Sequence, residues 1–392
     1  MDIAGRNEVT QGQPNDVVHV QTVVVGGGQA GLAVGHSLAL RGLPFVMLDA
    51  HERIGDAWRA RWDSLRLFSA ARYDALPGMP FPGVADSFPT KDGMADYLEA
   101  YAARFELPVR TGVRVDRLRR SGDRFELTAG TMRFEADNVV VAMGSHQVPW
   151  VPPFATELDP GIVQLHAAEY RNPTQLHEGA VLVVGVGNSG GEIAVEVATR
   201  HATSLAGKEV GVVPFRIDSL IARRVVLPLL FRFIAHHLLT VDTPLGRRMR
   251  PKLLSRGQPL VRVKPSDLAG AGVERVGRVV GVRDGLPVLE DGRTLEVANV
   301  IWCTGYRPAF SWIDLPVFDA TGHEPMHYRG IVDAEPGLYF VGLFFLYAMS
   351  SGFLRGVARD AEHVVEAISA RALGTGPRAV RAVNHSRKGL NQ

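Results

Sequence analysis

Gly26, Gly28 and Gly31 stand at G-x-G-x-x-G spacing, and Gly185, Gly187 and Gly190 repeat it far along the chain. Glycines at these intervals suit a pyrophosphate grip. The first permits a tight turn, the second lets the backbone approach the phosphates, and the third lets the following helix lie close to its strand. An acid, Asp49, closes the second strand of the first unit, roughly 20 residues past the glycines, where a carboxylate accepts from ribose hydroxyls. The second unit shows no acid at that point but offers Lys208, with Arg200 and His201 nearby. A cation there pairs with a 2′-phosphate, which an acid would repel. Two nucleotide grips in one chain point to electron transfer, although spacing alone does not separate FAD from NAD.

The elements that must position these residues are readable around them. Thr22 to Val25 is a β-branched run suited to a central parallel strand, "LAVGHSLALRG" has helical spacing up to Gly42, and "PFVMLDA" is a second strand. "AVLVVGV" and "EIAVEVATR" repeat strand and helix around the second turn. The expected class is α/β, with two Rossmann-like dinucleotide-binding domains, the second inserted in the first. The expected organisation is a tail over 1–18, a first dinucleotide-binding domain over 19–150 and 296–370, and a second over 151–295. A helical insertion falls near 215–265 and a second tail over 371–392.

The 392 residues suit two to three domains, and 46% hydrophobic with 21% charged residues is globular. Lys and Arg number 43 against 41 Asp and Glu, so the total charge gives no field that recruits nucleic acid or an anionic membrane. The single cysteine, Cys303, excludes an intramolecular disulfide and fits a reducing, cytoplasmic setting. With no C-x-x-C, a dithiol relay of the thioredoxin-reductase kind is excluded too. The most apolar run, Val225 to Leu239, is broken by Pro228, Arg232 and His236–His237, and falls short of the ~20 apolar residues of a membrane span. The adjacent histidines diverge on a helix and have no further ligand pattern, so no metal is assigned. Phe231, Phe233, Ile234, Leu238 and Leu239 either line an apolar substrate entrance or pack a helical cap.

The stretch after Asp49, "HERIGDAWRARWDSLRL", crowds Gly55, Trp58, Arg59, Arg61, Trp62 and Asp63 together. From Gly26 through this stretch the chain resembles the class B flavoprotein monooxygenases, within them the branch of auxin-forming flavin monooxygenases and bacterial flavoproteins named for potassium transport. The resemblance covers nearly all of Val20 to Ile368. It implies FAD at the first turn, held by Gly26, Gly28, Gln29, Ala30, Gly31 and Asp49, with Trp58, Arg59 and Arg61 in a loop over the flavin. It implies NADPH at the second, held by Gly185, Gly187, Asn188, Ser189, Gly190 and Lys208. "AMG", ending at Gly144, and "CTGY", with Thr304, Gly305 and Tyr306, resemble the paired linkers where the chain crosses between domains; Met143 departs from the usual Thr. Gly342 and the helix after "SSGFLRG" resemble the segment that completes the FAD domain. His166 and Tyr170 match the second half of the family fingerprint F-x-G-x-x-x-H-x-x-x-Y, whereas Pro160 and Ile162 hold its Phe and Gly positions; His166 is expected to be structural.

The function so implied is an NADPH-dependent monooxygenase. FAD is reduced and one atom of O2 passes through a C4a-(hydro)peroxyflavin to a small organic substrate. No nucleophile–base arrangement is singled out, because the flavin supplies the chemistry. The half-present fingerprint keeps open a reductase or oxidase passing electrons to O2, a quinone or a metal, and the relatives' naming a flavin-bound accessory of ion transport. A homodimer is compatible with all three.

Overall fold

A computed structural model describes residues 17–217, 219, 222–255 and 259–374. In chain order the elements that build the site are β1 (Val17–Val25), α1 (Gln29–Leu40), β2 (Phe45–Leu48), α2 (Lys91–Arg104), β3 (Val109–Arg110), β4 (Arg117–Ser121), β5 (Arg124–Ala129) and β6 (Met132–Val141). There follow β7 (Val163–His166), β8 (Val181–Val184), α3 (Asn188–Val197), β9 (Thr203–Ala206), β10 (Glu274–Val276), β11 (Asn299–Trp302), β12 (Leu338–Phe340) and α4 (Leu354–Ala372). Of the tail expected over 1–18, residues 1–16 lie outside the described residues, and Val17 and Val18 already pair with β6. At the other end α4 runs on to Ala372, and 375–392 lie outside the described residues.

The first sheet runs β4-β5-β6-β1-β2-β3, with a two-residue strand Ile313–Asp314 beside β4 and β12 also pairing β6. Its centre is parallel: β1 lies between β2 and β6, and β12 joins β6 at Leu338↔Val139. The run Val23 to Val25 is almost wholly buried, as a strand covered on both faces must be. Residues Ala30 to Leu38 of α1 are likewise all buried, which explains its lack of a polar stripe. Each leucine buried there contributes about 2 kcal/mol.

The second sheet, β10-β9-β8-β11-β7, is parallel throughout. It corrects one expected boundary. The strand β11 pairs with β8 and β7, so the inserted unit extends to Trp302, and the chain returns at Cys303 to Tyr306 rather than at 296. The burial of Asn299 to Trp302 on all sides fits either sheet by pattern; register decides it. Outgoing and returning crossovers meet as an antiparallel ribbon, Val148–Pro149 against Tyr306–Arg307.

The 215–265 segment is helical over Ala222–Val226, Leu227–Leu229, Leu230–Leu238 and Pro244–Ser255. It packs on the first unit as well as the second: Ile217 and Leu227 bury against Ala70 and Tyr73. The Val241 N–H donates to Tyr347 O at 2.8 Å, and Met349 N–H to Leu239 O at 2.9 Å.

Candidate functional site

The two glycine turns are near-copies. Gly26 has φ +113° and Gly185 φ +115°, values that favour glycine. A Cβ on Gly31 would lie 1.8 Å from Gly26 O, and one on Gly190 1.7 Å from Gly185 O; only glycine lets helix and turn touch. Gly28 and Gly187 cap α1 and α3 in extended conformation, with no side-chain cap. A Cβ on either would meet nothing within 4 Å. Each helix therefore presents uncapped N–H groups to open space, the arrangement that receives a phosphate. Both turns lie at the carboxyl ends of their parallel strands, where open α/β sheets bind ligands.

The ribose ends differ. Asp49 accepts from Gly27 N–H at 2.5 Å through Oδ2, and from the His51 backbone and ring Nδ1 at 2.8 and 2.9 Å through Oδ1. Burial opposes the charge on Asp49, but the His51 and Gly27 hydrogen bonds outweigh it and hold the carboxyl below its ordinary range. The same contact with Asp49 raises the His51 pKa. In the second unit Gly207 follows β9 where Asp49 follows β2, and Val186 stands where Gly27 stands. A Cβ on Gly207 would come 2.8 Å from Val186 Cγ2. Lys208 is exposed just beyond, and Arg275 donates from Nη2 to Gly207 O at 3.3 Å. Arg200 and His201 precede β9 and so lie at its amino end, away from Lys208; His201 Nδ1 faces Gly179 O at 3.1 Å.

Around the first turn, Trp58 Nε1 donates to Gln29 Oε1 at 3.4 Å, which holds the indole against the start of α1. Gly342 has φ +85°, and a Cβ there would lie 2.6 Å from Ala30 Cβ, so the segment after β12 closes directly on the helix start. Arg59 is engaged within the protein. Its guanidinium donates to Ile54 O, Asp56, Asp96 and Glu99 at 2.7–3.3 Å, which anchors the loop to α2. The Asn188 side chain likewise brackets a neighbouring segment, donating to Pro259 O at 3.1 Å and accepting from Val261 N–H at 2.8 Å, while its backbone N–H stays at the start of α3. Beside it Ser189 is half-buried at the helix start.

The crossover ribbon carries a compact polar cluster. Arg61 donates to the Tyr306 hydroxyl and lies over its ring, 5.3 Å from the centroid. The rings of His146 and His166 meet Tyr306 edge-on at 5.1 and 5.2 Å. His166 Nδ1 accepts from Ala168 N–H at 3.1 Å, so its Nε2 carries the proton and donates to Gly305 O at 3.0 Å. Burial lowers the His166 pKa, and burial with the Arg61 charge brings His146 down to about 4. Both shifts favour the neutral ring at pH 7, and the His166 ring ties Ala168 to Gly305. Thr304 donates to Trp150 O, while Gly144 and Gly305 turn at φ +70° and +87°. Burial pushes the Cys303 thiol up to about 12.

Sequence reading passed over Gly27, His51, His146 and Arg275. A glycine beside the G-x-G-x-x-G set was a visible signal for Gly27; the other three act through contacts between separate elements.

The chain matches the family model described as pyridine nucleotide-disulphide oxidoreductase over residues 23–213. It is 37% identical over 370 residues to an uncharacterized CzcO-like oxidoreductase of Geobacillus kaustophilus, covering 89% of this chain and 98% of that protein. It is 30% identical over 381 residues to the indole-3-pyruvate monooxygenase YUCCA1 of Oryza sativa, covering 88% and 90%. Among solved structures, the flavin-containing monooxygenase from Stenotrophomonas maltophilia superposes with a TM-score of 0.73 at 29% identity, over 91% of this chain and all of that one.

Proposed function

Because the chain belongs to the class B flavoprotein monooxygenase-like oxidoreductases, we propose that it takes electrons from NADPH and passes one atom of O2 to a small organic substrate. Flavin dependence and use of a pyridine nucleotide follow from the family; the phosphate form, the oxygenation and the residue roles are the proposal. Overall, NADPH, a proton, O2 and substrate give NADP+, water and oxygenated substrate. The flavin, when bound, supplies the activation of O2.

The chain's own residues bind and orient. The N–H groups beyond Gly28 and Gly187 hold the two pyrophosphates, and Asp49 accepts from a ribose. Lys208 and Arg275 provide positive charge where the second unit has no acid. Trp58, braced by Gln29, shields the first site, and the Arg61–Tyr306 contact keeps the ribbon between the sites in register. The observation that carries this reading is the pair of matching uncapped helix starts, joined by that ribbon.

The test is the absorption spectrum of the purified protein, followed by NADPH and peroxide accounting with candidate substrates. A flavin spectrum, with NADPH consumed in step with product, is expected. Peroxide equal to NADPH consumed under every substrate would favour the reductase or oxidase reading. One observation supports that alternative: Ile162 fills the fingerprint's glycine position with a buried side chain in the second sheet's core.

A further inference from the structure

Charge is segregated along this chain. Eleven of its 43 Lys and Arg residues, but two of its 41 Asp and Glu residues, fall within 215–265. That segment therefore carries a formal +9 and the remainder −7, behind a total of +2. The absence of a field toward anionic surfaces, expected from the total, does not hold for this segment.

The same segment leaves apolar side chains in water. Along Ala222–Val226, Leu227–Leu229 and Leu230–Leu238, the side chains of Ala222, Leu227 and Ala235 are buried. Val225, Leu229, Phe233 and Leu238 are 60, 53, 51 and 40% exposed. The first three are spaced by four residues, which keeps them close to one face of a helix. On the following helix, Pro244–Ser255, Leu245 and Leu254 are 51 and 41% exposed. Arg224, Arg247, Arg248 and Lys252 are exposed on the same helices. The described acid of the segment, Asp242, is taken up by the Tyr328 hydroxyl at 2.8 Å, and Arg250 turns in to Glu324.

We propose that this face docks the protein peripherally on an anionic phospholipid membrane. The apolar side chains enter the boundary between headgroups and acyl chains, and the arginines meet phosphate headgroups. Nucleic acid would satisfy the cations but leave the apolar stripe in water. No helix among the described residues is long and apolar enough to cross a bilayer, so the association is one of lying on the surface. The hydrogen bonds from Val241 N–H to Tyr347 O and from Met349 N–H to Leu239 O, which join this segment to the strip before α4, fix the orientation in which the first unit is held against the lipid.

The test is flotation of the flavin-loaded full chain with vesicles of equal parts phosphatidylcholine and phosphatidylglycerol, against vesicles of phosphatidylcholine alone. Binding to the anionic vesicles that weakens with salt is expected. Arg224→Ser with Arg248→Ser should weaken it about fivefold per charge removed, and Leu229→Ser with Phe233→Ser about tenfold. Circular dichroism and flavin content report whether each variant is folded. Failure of the folded wild type to float with anionic vesicles overturns the proposal. So does unchanged flotation of the folded Leu229→Ser/Phe233→Ser protein, or tighter binding to duplex DNA or polyglutamate than to the vesicles.

Discussion

Gly207 occupies in the second unit the place that Asp49 occupies in the first. Each follows the strand residue paired with the end of the strand before the glycine turn, Leu48 with Val25 and Ala206 with Val184. The partner changes in concert: Asp49 meets Gly27 N–H, whereas Gly207 leaves room for the Val186 side chain. The two units thus share one framework, and a carboxylate stands at this place in the first copy only. A carboxylate in place of Gly207 would repel a 2′-phosphate.

Replacing Lys208 by Ala should raise the KM for NADPH about five- to tenfold, the share of a charge-assisted contact at an exposed site, and leave the KM for NADH unchanged. Initial rates with the two nucleotides measure it. Equal effects on both would remove Lys208 from the phosphate site.

The two turns should fail differently. Gly31→Ala drives a methyl group into Gly26 O and should yield protein with little bound flavin. Gly190→Ala meets Gly185 O instead and should yield flavin-loaded protein whose reduction by NADPH is slowed more than tenfold, about 1.4 kcal/mol or more. Flavin absorbance and stopped-flow reduction separate the two. The same defect in both variants would mean that the turns do not serve separate nucleotides.

His51 and Asp49 make a pH-dependent pair. The folded pKa of His51 is raised, so its stabilisation is fully present below the ordinary histidine value near 6.5 and is lost as pH rises through the folded value. His51→Ala should lower Tm below pH 6 and narrow the difference from wild type above pH 8. The effect is small, because the ring is half exposed. A constant difference across pH would show that the ring acts by packing alone.

Three histidines act in the opposite sense. Burial, the largest cause in each case, brings His146, His236 and His327 down to about 4. The unfolded chain takes up protons below pH 6.5 that the folded chain refuses, so stability falls as pH drops from about 6.5 toward 4. Urea midpoints across that interval should decline, and His146→Gln should flatten part of the decline. No decline between pH 6.5 and 4.5 would contradict neutral burial of these rings.

Glycine spacing and all-apolar strands made both strand–turn–helix units legible, because turn, helix start and strand are local and each glycine answers a steric demand a few residues away. The protein partners of the Asn188 and Arg59 side chains were hidden for the reverse reason. Both motif positions suit a cofactor, but the two side chains are claimed by Pro259–Val261 and by carboxylates of α2, partners remote in sequence. The allegiance of β11 was hidden because four buried apolar-flanked residues fit either sheet. The basic segment was hidden by an average: a total charge says nothing of where charges sit.

The antiparallel ribbon of Val148–Pro149 with Tyr306–Arg307 makes the two covalent passages between the units behave as a single hinge pin. The 215–265 segment adds a separate clasp, through Leu239 and Val241, to the strip leading into α4. Two bodies fastened at two separated places retain one easy swing, about the line through both fastenings. Any relative movement of the two units is thereby confined to that one arc, with twisting and sliding opposed by whichever fastening lies off the axis.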